Sequence, residues 1–105
     1  MTDADSQVLQ EFAGRVRLRF PEARVWAFGS RARGDASPES DLDVCVVVDR
    51  LNDQRDRDII GIAWEVGFSH EVVISTVTFS QAEFAAGPLA VSPIVTSILH
   101  DGVVV

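Results

Sequence analysis

From Asp3 to Phe20 the apolar residues Val8, Leu9, Phe12, Val16 and Phe20 recur at three- and four-residue steps, the period of a helix that buries one face. Acids lead this stretch and Arg15, Arg17 and Arg19 trail it, so its charges complement its own dipole. Pro21 stops the helix, and Arg24 to Phe28 reads as a short strand ending at Gly29. Ser30 to Ser40 has no apolar period and is rich in Gly, Ser, Pro, Arg and Asp; it is expected to be a loop with a helical turn starting at Ser30. Leu42 to Val48 is an almost unbroken apolar run, the pattern of a central strand covered on both faces. Asn52 or Asp53 caps a second helix that runs to about Val66. Its apolar face is Ile59, Ile60, Ala63 and Val66, its water-facing side Arg55, Asp56 and Arg57, and Gly67 ends it. Val72 to Val77 is rich in β-branched residues and reads as a third strand. A short helix over 80–85 is broken by Gly87 and Pro88. A last one from Ser92 to His100 points Ile94, Val95, Ile98 and Leu99 inward, with Gly102 just past its end.

The order helix, strand, loop, strand, helix, strand, helix makes a small α/β sandwich: helices packed on a short mixed sheet whose free face or edge could receive a partner. With 105 residues the chain is expected to form a single domain over 1–105. Sixteen acids against nine basic residues give a net charge of −7, which argues against general nucleic-acid binding. The basic residues are all arginine, which excludes lysine Schiff bases and a P-loop lysine. Tyrosine is absent, so there is no phenolic nucleophile. Cys45 lies inside the apolar run, reads as a small buried hydrophobe, and forms neither an intrachain disulfide nor a multi-cysteine metal site. Trp26 and Trp64 fall on apolar faces and are expected in the core. No apolar stretch is long enough for a bilayer and the N-terminus is polar and acidic, so no membrane role is expected and the cytoplasm is the expected location.

Chemistry concentrates around the loop. Asp41 and Asp43 stand at i, i+2 at the head of a strand, so both carboxylates share one face, separated by about 6.6 Å of strand rise. Two carboxylates on one face can share a cation, which offsets the cost of placing charge against a buried strand; two exposed acids capping the loop is the plainer alternative. Ten residues or so earlier, Gly29-Ser30 makes a strand-to-helix corner whose free amides suit phosphate. Arg31 and Arg33 follow and could grip phosphate oxygens bidentately, or else simply balance Asp35 and Glu39. Glu71, the only acid at the head of the third strand, is the candidate third carboxylate for the metal and for the proton of an attacking hydroxyl; an exposed strand-end glutamate is the alternative. His70 and His100 read as surface residues, His100 favoured by a helix C-terminus.

The runs Phe28-Gly-Ser-Arg-Ala-Arg-Gly-Asp and Ser40-Asp-Leu-Asp-Val, with the helix before them and the closing Ile98-Leu-His-Asp-Gly-Val, resemble the DNA polymerase beta nucleotidyltransferase superfamily in its minimal form. The resemblance implies that Gly29, Ser30, Arg31, Arg33 and Ser40 bind a nucleoside triphosphate, with ATP the expected substrate. It also implies that Asp41 and Asp43 bind two Mg2+ ions and that Glu71 stands where the family usually has a third aspartate. Minimal members resemble the antitoxin of toxin–antitoxin pairs with a helical HEPN-type ribonuclease, so the implied activity is transfer of AMP to a hydroxyl on that helical partner. The alternatives are a binding module that occludes the partner without catalysis, and a small-molecule nucleotidyltransferase of the aminoglycoside-modifying kind, for which a homodimer could supply the missing wall.

Overall fold

A computed structural model describes residues 1–35, 37, 39–85 and 92–105. Helix α1 (Asp3–Arg19) starts where the Thr2 side chain accepts the Asp5 amide, and it buries Val8, Leu9, Phe12, Ala13 and Val16. Strand β1 (Arg24–Phe28) leads into the one-turn helix α2 (Gly29–Arg33), and β2 (Leu42–Val48) follows. Helix α3 (Asp53–His70) opens on Asn52, whose side chain accepts the Arg55 amide. Then come β3 (Ile74–Ser80), α4 (Gln81–Ala85), α5 (Pro93–Asp101) and β4 (Val103–Val104).

The strands form one sheet in the order β3-β2-β1-β4. β1 is antiparallel to β2 and β4, whereas β2 and β3 are parallel, which the α3 crossover requires. Because strand side chains alternate, β2 feeds two cores. Leu42, Val44, Val46 and Val48 pack with α1 and α3. Cys45 and Val47 join Trp26, Phe79, Phe84, Val95 and Ile98 under α4 and α5. The mixed α/β sandwich is therefore as expected, and helices pack on both faces of the sheet, as the apolar run of β2 implies, rather than leaving one face free.

Several boundaries differ from the sequence reading. The described residues form four strands rather than three, since β4 has two residues and is too short to show a period. α3 continues through Gly67 to His70 and ends at Glu71, which is left-handed at φ 55°. Gly67 is helical and buried, and the Val72 carbonyl packs where its Cβ would be, an approach only glycine allows. β3 accordingly starts at Ile74, two residues late, and runs to Ser80. Trp26 is buried, but Trp64 is 74% exposed, and Ile60, expected on the inward face with Ile59, Ala63 and Val66, is exposed as well: α3 carries a second apolar stripe that periodicity alone assigns to the core. On α5 only Val95 and Ile98 turn inward, while Ile94 and Leu99 are exposed. Asp56 does not face water alone, since it accepts a 2.6 Å hydrogen bond from the Thr78 hydroxyl, and Arg55 lies over the Phe20 ring. The expected break at Gly87 and Pro88 lies outside the described residues.

Candidate active site

The site is built where β1 turns into α2 beside the head of β2. Phe28 is extended, Gly29 swings to φ 75°, and α2 begins at once. The register pairs Phe28 with Asp43, so the Asp43 side chain lies directly against the Gly29 backbone, where any Cβ would overlap its Oδ2. Only glycine satisfies both the left-handed φ and that approach. The Ser30 carbonyl accepts the amides of Gly34 and Asp35, and Gly34, at φ 85°, closes the turn.

Asp41 is exposed and Asp43 half-buried. Burial, then the charge of Asp41, holds the Asp43 carboxyl above its ordinary value of 3.8, with the Arg33 guanidinium acting against both. Arg33 is itself exposed, 3.4 Å from the Asp35 carboxylate. Two like charges held together against desolvation, both hard oxygen donors, fit a divalent cation whose remaining ligands come from substrate phosphates and water.

Arg31 has a different position from the one expected of a phosphate ligand. Its Nη1 donates to Asp5 Oδ1 at 2.8 Å and its Nε to the Ser40 carbonyl at 2.6 Å. Asp5 is 7% exposed and is the one buried charged residue among the described residues. The pair ties α1, α2 and the residue before Asp41 together, and sequence reasoning missed Asp5 because the two residues lie 26 positions apart. Breaking a buried pair from one side strands a charge, so Arg31→Met should lower stability by about 3 kcal/mol, with Asp5→Asn/Arg31→Met less harmful than the sum of its parts; denaturant unfolding of the four proteins measures this. Ser40 serves the same loop through its amide to Ser37 and its carbonyl to Arg31.

Glu71 is not brought to the aspartates. It caps α3, exposed, beside a pocket with Trp64 and Phe68, and the described residues contain no group of three His, Cys, Asp or Glu placed to hold a metal. The β3 residue opposite Asp43 is Ser75. His70 meets Glu11 at 3.0 Å, and His100 bonds to Asp101, which raises its pKa. Burial pushes the Cys45 thiol up to about 12, so it is no nucleophile at neutral pH.

The sequence matches the nucleotidyltransferase domain family over residues 9–104. The chain belongs to this family. A Methanocaldococcus jannaschii protein with the provisional name of protein adenylyltransferase is 36% identical over 78 residues, 71% of this chain and 79% of that protein. Among solved structures, a toxin–antitoxin crystallised with AMP-PNP aligns with a TM-score of 0.58 at 16% identity, covering 89% of this chain and 68% of that one. A mutant MntA–HpeT toxin–antitoxin aligns at 0.61 and 15% identity over 90% and 69%. A Sulfolobus solfataricus protein provisionally called a nucleotidyltransferase aligns at 0.53 and 20% identity over 97% and 82%. These structures share the nucleotidyltransferase fold with this chain. Among the described residues no helix is long and apolar enough to cross a membrane.

Proposed function

We propose that this nucleotidyltransferase transfers AMP from ATP to a hydroxyl of a helical, HEPN-type toxin protein and acts as its antitoxin. The observation that carries the reading is the Asp43 carboxylate set against the Gly29 corner with the charge of Asp41 acting on it. The relative named as a protein adenylyltransferase supports a protein acceptor, and the toxin–antitoxin structure with AMP-PNP supports an adenine nucleotide and a toxin partner.

In this reading Asp41 and Asp43 hold Mg2+, which when bound neutralises phosphate charge and polarises the α-phosphorus. The Gly29-Ser30 corner offers amides to the triphosphate, and the exposed Arg33 stands on the same side as Asp43 to meet phosphate charge. Arg31 fixes the loop that carries Asp41. The bond formed joins the acceptor oxygen to the α-phosphorus, the bond broken is that to the β-phosphate bridging oxygen, pyrophosphate leaves, and the hydroxyl proton passes to solvent. Only substrate alignment and charge neutralisation are asked of this chain.

The test incubates the purified chain with α-labelled ATP and Mg2+, alone and with the helical protein encoded by a neighbouring reading frame. Label should pass to that protein and stop its ribonuclease activity, with little self-labelling. Neutralisation without label, at saturating nucleotide and metal, would instead establish occlusion, the reading that the absence of a carboxylate at Ser75 favours.

A further inference from the structure

The outer flank of α3 carries an apolar stripe that no described residue covers. Ile60, Trp64 and Phe68 follow at i, i+4 and i+8 and are 39%, 74% and 84% exposed. Such spacing keeps side chains on one face. Arg57 lies seven residues before Trp64, and two turns of helix return it to within about 20° of the Trp64 direction; Glu71, seven residues after Trp64, is the left-handed residue that ends α3 and borders the same pocket as Trp64 and Phe68. Both are exposed, and among the described residues neither side chain forms a hydrogen bond or an ion pair. Gly61 beside the stripe is exposed with nothing near its missing side chain. A pocket of about 500 Å³ bordered by Trp64, Phe68, Glu71 and Val73 opens next to it.

We propose that this flank is a self-association surface on which a second copy of the chain docks with its α3 antiparallel, about a two-fold axis at Trp64. A two-fold pairs equal steps in opposite directions from the axis. Trp64 then meets the partner's Trp64, Ile60 meets the partner's Phe68, and Arg57 meets the partner's Glu71. The charge pattern selects this orientation: parallel pairing would set Arg57 against the partner's Arg57 and Glu71 against the partner's Glu71, whereas the antiparallel arrangement joins opposite charges at both ends. The i, i+4 row is the ridge that packs into the matching groove of a second helix, and Gly61 lets the backbones approach. The tryptophans and phenylalanines of the two copies would supply roughly half the area a standard interface buries. Asp43 belongs to the opposite face of the sheet with Cys45 and Val47, so the nucleotide site stays open in the pair.

Sedimentation equilibrium of the full chain between 5 and 200 μM is the test, with far-UV circular dichroism and Mg2+–ATP binding as controls for folding. The wild type should be dimeric and W64E monomeric, with nucleotide affinity unchanged. Arg57→Glu and Glu71→Arg should each weaken the dimer about tenfold, because each sets like charges together at both symmetric ends. The double variant, with the charges exchanged, should return to within about threefold of wild type if the register is right. A monomeric wild type overturns the proposal, as does a dimer indifferent to W64E. A double variant no tighter than the single ones overturns the antiparallel register.

Discussion

Asp43→Asn should lose metal-dependent nucleotidyl transfer by about 10³-fold or more, because it removes a ligand charge from the site that neutralises phosphate while keeping the side chain's size. Asp41→Asn should do the same from the exposed side. The two differ in stability. In the folded chain Asp43 holds its proton above the ordinary carboxylate value of 3.8, so between that value and its raised one the native state binds more protons than the unfolded state. Stability therefore falls as pH rises through this window. Asparagine does not ionise, so the metal-free variant should be the more stable protein at neutral pH and should lack that decline. Mg2+ should raise the melting temperature of the wild type and leave that of Asp43→Asn unchanged. Thermal melts from pH 3 to 8, with and without metal, read both effects; undiminished turnover in both variants would sink the catalytic assignment.

Gly29→Ala should be nearly as damaging to activity by a different route. A non-glycine residue at φ 75° costs about 1–3 kcal/mol, and the new methyl group would overlap Asp43 Oδ2. The carboxylate must yield, and a displacement of about 1 Å at a reacting centre can cost on the order of 10²-fold in rate. Gly34→Ala is the matched control, since its φ is 85° but a Cβ there meets nothing within 4 Å. It should show a similar loss of stability and keep most of its activity. Equal losses of turnover in the two variants would mean that backbone strain, rather than the Gly29–Asp43 contact, governs the site.

The parts of the site carried by short-range geometry were legible in the sequence. Asp43 stands on β2 with Asp41 just ahead of the strand, close enough for its charge to act on Asp43, because two steps along an extended chain return a side chain to the same side. Gly29 reads as a corner because the apolar strand stops there, and α1 declares its buried face by its own period, every predicted residue of which is buried. Glu71 was misjudged because Gly67 reads as a stop, yet it serves a close approach of the Val72 carbonyl inside the helix, which ends only at the left-handed Glu71. The strand then begins later and Ser75, rather than an acid, stands opposite Asp43. Arg31 shows the same limit, since its partner Asp5 comes from another element.

By itself, then, the sequence determined the α/β order, the two-carboxylate strand head and the glycine corner, all of which depend on residues within a few positions of one another. The tertiary structure alone decided that Arg31 braces the site from Asp5, that Glu71 stands apart from the aspartates, and that Trp64 is exposed where Trp26 is buried. The physical reason is that backbone periodicity fixes which side of an element a residue occupies, whereas what lies against that side depends on long-range packing between elements.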